Sequence, residues 1–187
     1  DKEVSTDVEA KDIETLSKNK EFLLDVREDY EYQDGHIKGA IQFSSLWLDY
    51  IEEPKFENFV SGKGITKDKT IILYSATNQL ASYRVFWALK WAGVKDVRVM
   101  NGNLSTWTDL DLPTETHVND PILENSFGTT IPSHPEINIS MPEDAIREQE
   151  KGLKLISNRA WPEYIGEISG YDYIPGKGEP KGAIYRS

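Results

Sequence analysis

The chain has 187 residues, with 32 acidic side chains against 21 basic ones, a net charge of −11 and no cysteine. That balance, without clustered Lys and Arg, argues against nucleic acid or an anionic membrane surface as a partner. The missing thiol excludes disulfides, thiolate metal sites and thiol chemistry by this chain. No apolar run approaches the roughly 18 residues of a bilayer span, and the opening DKEVSTDVEA lacks the basic and apolar regions of a secretory signal.

From Thr6, the segment TDVEAKDIETLSK places Glu9 three residues after Thr6, a capping-box pattern. With Val8, Ile13 and Leu16 at helical spacing it predicts a short helix. FLLDVR at 22–27 and AIQF at 40–43 are short apolar runs of strand type, separated by a polar stretch containing Gly35 and Gly39. LWLDYIEEPKFENFV, broken by Pro54, predicts one or two short helices. TIILYS at 70–75 is apolar without alternation, as a parallel strand covered on both faces must be. In the helix expected next, Leu80, Tyr83, Trp87, Ala88 and Trp91 fall on one face, and Gly93 supplies the stop. DVRVM at 96–100 predicts another strand, and Asn103 the cap of a last helix through Trp107 that ends near Pro113. By the same spacing Trp47, Trp87, Trp91 and Trp107 are mostly core, with one or two left to face a partner domain. Strands alternating with helices indicate an α/β domain with a largely parallel sheet over residues 1–115.

Residues 116–140 differ: Pro121, Gly128, Pro132 and Pro135 punctuate them without periodicity, which predicts a linker. After it Ser140, Met141, Pro142 and Glu143 form a helix-start signature, and the helix to about Lys151 leads into LKLIS. Here the chain repeats itself. Arg27 is followed four and five residues later by Glu31 and Tyr32; Arg159, 132 residues on, is followed in the same way by Glu163 and Tyr164. Each copy then reaches KGAI, at 38–41 and at 181–184, the second after 11 inserted residues around GYDYIPGKGEP. The second copy stops at Ser187, before any counterpart of TIILYS. Residues 141–187 are therefore expected to be the truncated start of a second domain, with its sheet incomplete.

These residues resemble the rhodanese family, the sulfurtransferase fold shared with the cell-cycle dual-specificity phosphatases. LLDVREDYEYQDGHIKGAIQF resembles the family's first signature, an Asp-Val-Arg strand end followed by Gly-His-Ile and Gly-Ala. ILYSATNQLASYRVFWALKWAGVKDVRVMNGNLSTW resembles the second, in which strand, active-site loop, helix, strand and a Gly and Trp turn follow in order. RAWPEYIGEISGYDYIPGKGEPKGAIY resembles the opening of a second domain in tandem sulfurtransferases, the exported bacterial thiosulfate sulfurtransferases above all. The resemblance implies a rhodanese-like five-stranded parallel sheet with helices on both faces, no cofactor and a periplasmic location. The partners it implies are the rest of a tandem sulfurtransferase or a second copy of the chain, and a small sulfur-containing anion. It also implies that the residue ending the central strand is a Cys that accepts sulfur as a persulfide. That position holds Ser75.

The loop Ser75, Ala76, Thr77, Asn78, Gln79 and Leu80, opening into a helix near Ala81, has the family's length and is expected to bind an anion through convergent backbone N–H groups. A thiol there would be acidified. A hydroxyl stays protonated without a dedicated base, and an oxygen cannot carry the relayed sulfur. No Gly-x-Ser-x-Gly elbow surrounds Ser75 and no His lies near it in sequence. Arg84, one turn into the helix, is expected to pair with a surface acid before it serves an anion. Asp25 and Arg27, at a strand's C-terminal end, are expected to hold the following loop, and His36 to donate a structural hydrogen bond. His36, His117 and His134 are too scattered for a metal site, and Asp109, Asp111, Glu115 and Asp120 suggest a solvated edge. The expected function is a non-catalytic, structural or partner-docking domain, the reactive Cys standing in a missing domain near position 218. Sulfur transfer or ester hydrolysis through Ser75, and anion binding without turnover, remain as alternatives.

Overall fold

The computed structural model describes residues 6–17, 22–76, 79–137, 142–173 and 175–186. Two compact units divide the chain after Ile137.

In the first unit, five short strands lie parallel in the order β1-β6-β5-β2-β4. They are β1 (Asp7–Glu9), β2 (Phe22–Asp25), β4 (Ile41–Gln42), β5 (Thr70–Tyr74) and β6 (Asp96–Asn101), while β3 (His36–Ile37) stands outside this sheet. The strands alternate between two buried layers. Leu24, Ile71, Leu73, Val97 and Val99 pack on one face with α3 (Glu53–Gly62) and α4 (Leu80–Ala92), through Phe56, Val60, Val85 and Leu89. Leu23, Ile72, Tyr74 and Met100 pack on the other with α1 (Ala10–Ser17), α2 (Asp29–Asp34) and α5 (Leu104–Asp109), through Ala10, Ile13, Tyr32 and Trp107. Both faces are thus covered, and that is why TIILY reads as an unbroken apolar run. Gly93 ends α4 at φ 116°, a left-handed stop that favours glycine.

Three expectations change. The capping-box pattern at Thr6 and Glu9 is not a helix start: Asp7–Glu9 pair in parallel with Val99–Asn101, and the helix begins at Ala10. Val8 alone is buried in this strand, and sheet pairing overrides the local signal. In α4 the buried face is Ser82, Val85, Ala88, Leu89 and Ala92, whereas Leu80, Tyr83 and Trp87 are 71%, 46% and 42% exposed. Of the face predicted for the core, only Ala88 is buried: the smaller residues approach the sheet closely, and the large rings lie at the rim. Likewise only Trp107 of the four tryptophans placed by spacing is fully buried.

Third, residues 116–137 are anchored to the first unit. Phe127 is completely buried within the α3/α4 layer, its carbonyl accepts from Lys67 N–H, and His134 N–H donates to the Trp91 carbonyl. Before it, β7 (Thr114–Glu115) pairs antiparallel with β3. Phe127→Ala is expected to destabilise this unit by about 3–5 kcal/mol, as large aromatic truncations in a core do. Urea unfolding followed by Trp fluorescence measures it, and a change under about 1 kcal/mol would mean that the segment contributes no core.

The second unit contains α6 (Pro142–Glu150), β8 (Ile156–Ser157), α7 (Trp161–Tyr164) and β9 (Ile184–Tyr185). Of the helix-start signature, Ser140 and Met141 lie outside the described residues. Here the sequence repeat becomes a structural one. β8 pairs in parallel with β9 through Ile156↔Ile184 and Ser157↔Tyr185, as β2 pairs with β4 through Leu24↔Ile41 and Asp25↔Gln42. Tyr164 donates to the Ala183 carbonyl at 3.0 Å, as Tyr32 does to the Ala40 carbonyl at 2.8 Å. Glu163 accepts from Ala160 N–H as Glu31 does from Glu28 N–H.

Candidate functional site

The chain runs from β2 outward to β4, returns through α3 to β5 beside β2, and then continues the opposite way to β6. The reversal lies between β2 and β5, and in open α/β sheets ligands gather outside the carboxyl ends of strands at such a point. Asp25 ends β2, Tyr74 ends β5, and Ser75 follows it.

Beneath this edge is a buried polar network. Arg27 Nε donates to both Asp25 oxygens at 3.0 and 3.1 Å, and Nη2 donates to Asp25 Oδ2 and to the Gly35 carbonyl, each at 2.6 Å. Arg27 N–H also reaches Asp25 Oδ1 at 3.0 Å. The Tyr74 hydroxyl donates to Asp25 Oδ2 at 2.6 Å and accepts from Ile37 N–H at 3.1 Å. Burial raises the Tyr74 phenol well above its ordinary range, and the Asp25 charge pushes the same way. For Arg27 burial disfavours the charge, but the hydrogen bond and charge of Asp25 outweigh it and raise its proton affinity. The pair holds the loop between β2 and β3.

His36 is fully buried. Its Nδ1 lies 2.7 Å from the Tyr32 carbonyl and is therefore the protonated nitrogen, since a carbonyl only accepts. The ring stacks on Tyr32 at 3.7 Å, and Nε2 lies 3.8 Å from Glu115. Glu115 is held below the usual carboxylate range by the Asn119 side chain and Gly39 N–H. It therefore fastens the KGAI turn and is not simply a solvated edge.

Ser75 is 2% exposed, and its carbonyl accepts from Leu104 N–H at 3.2 Å. Its Oγ lies 3.5 Å from the Ala76 carbonyl. Thr77 and Asn78 lie outside the described residues. Gln79 directs its side chain across to β6, donating Nε2 to the carbonyls of Met100 at 3.2 Å and Gly102 at 2.9 Å. Leu80 and Ala81 open α4. Arg84 forms a two-pronged ion pair with Asp49, at 2.5 and 3.2 Å, and that bond holds the Asp49 carboxyl below its ordinary range. Arg84 is thus tied to the turn after β4, while Ser75, Ala76, Asp25 and Arg27 come together.

Sequence reasoning missed the wall opposite. Asn103 caps α5 by accepting from Thr106 N–H, and Asn103, Leu104, Ser105 and Thr108 line an open depression of about 290 Å³ with Arg27 and Ala76. A second depression of about 510 Å³ shares Arg27, Leu104 and Thr108 and extends along Tyr30, Glu31 and Asp34. Arg27 therefore borders both, and among the described residues its Nη1 makes no hydrogen bond. The Asn103 cap was visible in sequence, but nothing local marks the α5 N-terminus as facing the β2 end. Among the described residues no group of three or more His, Asp and Glu could hold a metal ion, and no helix is long and apolar enough to cross a membrane.

In the second unit Ser157 occupies the place of Asp25. Arg159 instead pairs with Glu163 at 3.0 Å and Glu179 at 3.2 Å, and its buried Nε has no acceptor among the described residues.

Comparison with known proteins accords with this geometry. The family described as the rhodanese-like domain matches residues 9–110. Thiosulfate sulfurtransferase YnjE of Escherichia coli is 36% identical over 166 residues, covering 81% of this chain and 36% of the relative. Sulfur carrier protein TtuD of Thermus thermophilus is 29% identical over 187 residues, covering 88% of this chain and 61% of the relative. A cysteine-to-serine variant of EanB, solved with hercynine, superposes with a TM-score of 0.83 at 27% identity, covering 97% of this chain and 49% of that one. The chain thus spans from about a third to three fifths of the length of these proteins. It belongs to the rhodanese-like domain family.

Proposed function

We propose that the first unit, which extends to Ile137, is a rhodanese-like domain that does not itself carry sulfur, and that the second unit is the start of a second copy. In this reading the reactive Cys of the whole protein stands in the continuation of that copy, and the first domain shapes a cleft or docks a protein that gives or receives sulfur. The observation that carries it is the oxygen of Ser75, standing where the family's sulfur would be bound, in a chain without a thiol. The matched registers of β8 with β9 and β2 with β4 support the second copy. The names of the relatives, a thiosulfate sulfurtransferase and a sulfur carrier protein, support sulfur transfer as the activity of the whole.

A second reading, anion binding without turnover, draws on the depression bordered by Ala76 and Arg27. Arg27 borders it, and guanidinium forks suit tetrahedral oxyanions.

Two measurements on the chain test both. Incubated with thiosulfate and cyanide, it is expected to form no thiocyanate above the uncatalysed rate; sustained turnover would overturn the first reading. For the second, millimolar thiosulfate is expected to raise the melting temperature, since binding to the folded state alone stabilises it. An unmoved transition would remove the anion site.

A further inference from the structure

A cleft beside the sheet edge, built from residues that take no part in the Ser75 site, carries a separate inference. After β4 the chain makes a 3₁₀ turn, Ser45–Asp49, and α3 lays Phe59 against it. Phe59 meets Trp47 edge to face with centroids 5.8 Å apart, and meets Phe43 at 5.2 Å. Trp47, Phe59, Tyr50 and Ile51 line an open cleft of about 330 Å³, with Lys63 the fifth lining residue. The cleft falls in the size range of small-molecule sites.

Lys63 caps the C-terminus of α3, and its Nζ stands 4.2 Å from the centroid of the Trp47 ring. Lys67 and Lys69 nearby in sequence, and Lys95 farther along the chain, each meet a carboxylate. Among the described residues the Lys63 ammonium makes no ion pair and no hydrogen bond. Burial lowers its proton affinity, against a weaker pull from Asp29. The ring face stabilises the charge in part, but the half-buried ammonium has no carboxylate in hydrogen-bond reach among the described residues.

Among the described residues the lining is therefore asymmetric: ring surfaces and one aliphatic wall, a single cation, and no acid. A cationic ligand would be repelled, an aliphatic anion would leave the rings wet, and a polyanion would find one counter-charge only. We propose that this cleft binds a small planar aromatic monocarboxylate, its ring against Trp47, Tyr50 and Phe59 and its carboxylate on Lys63 Nζ.

The test is a titration of the whole chain with 2-naphthoate, followed by NMR of the indole and backbone N–H signals. Saturable binding with Kd below about 1 mM is expected, within reach of a ligand of this size. Shifts should centre on the Trp47 indole and leave the amides of Ala76 and Asn103 unmoved. Lys63→Met should weaken binding about tenfold or more, because the charge-assisted contact is lost. The neutral analogue 2-naphthalenemethanol should bind the parent chain more weakly by a similar factor. Equal binding of the acid and the alcohol by the parent chain overturns the proposal whether or not the variant folds. So does Lys63→Met binding as tightly as the parent, a response centred on Ala76 and Asn103, or no saturation by several millimolar.

Discussion

Asp25→Ala is expected to destabilise the first unit by about 3–5 kcal/mol, the loss typical of removing one member of a buried ion pair. Asp25 is fully buried and accepts from Arg27 backbone and side chain and from the Tyr74 hydroxyl. Without it, a guanidinium that is almost entirely covered keeps, among the described residues, only the Gly35 carbonyl as acceptor, and the Tyr74 phenol loses its acceptor. An uncompensated buried cation is the dominant penalty, larger than the value of the pair itself. At a urea slope of about 2 kcal/mol/M the midpoint falls by about 2 M, a large share of the stability of an ordinary domain. Tyr74→Phe removes a neutral donor and is expected to lose only about 1–2 kcal/mol. A midpoint lowered by less than about 0.5 M for Asp25→Ala would mean that Arg27 finds other partners, and the network would then not be what holds the β2–β3 loop.

Ser75→Cys is expected to give a thiol that iodoacetamide alkylates about fivefold faster at pH 6.5 than a free peptide thiol. A depression of the thiol pKa by about 1.5 units multiplies the thiolate fraction more than twentyfold, and the lower basicity of that thiolate takes part of the gain back. The physical sources are the N-terminus of α4 and the Arg27 guanidinium bordering the same depression as Ala76. With thiosulfate, the thiolate would attack the sulfane sulfur. The S–S bond to the sulfonate breaks, sulfite departs with the electron pair, and a persulfide remains on the protein. Cyanide then removes the outer sulfur as thiocyanate and restores the thiolate. A mass increase of one sulfur atom reports the first step. Because position 75 is almost fully covered, alkylation no faster than the peptide thiol together with an unshifted thiol titration would show that the loop does not favour an anion, and the reading of this edge as a family site without its nucleophile would fail with it.

The elements that could be read from the sequence are those whose signal is local and repeated. Thr70–Tyr74 is apolar at nearly every position because both faces of the sheet are covered, and Asn103 and Gly93 carry start and stop chemistry in single residues. Illegible elements depend on a distant partner. Asp7–Glu9 offers one buried residue, Val8, and becomes a strand only because β6 offers an open edge. The aromatic stripe of α4 has the right period and the wrong face, since spacing tells which residues lie together and not which side approaches the sheet. Phe127 is one ring in a stretch punctuated by Pro121, Gly128, Pro132 and Pro135, too little for any pattern to mark it as core.

At the candidate site the division is similar. The absence of a thiol is written in the composition, and the repeated Arg, Glu, Tyr and KGAI phrase marks an internal repeat before any coordinate is known. The meeting of Asp25, Arg27, Tyr74 and Ser75 at one edge belongs to the tertiary structure alone. The crossover through α3 returns β5 to the side of β2 in a register that sets Asp25 opposite Tyr74. Neither segment records in its own residues which strand its neighbour will be, because parallel pairing is made by backbone groups that every sequence shares.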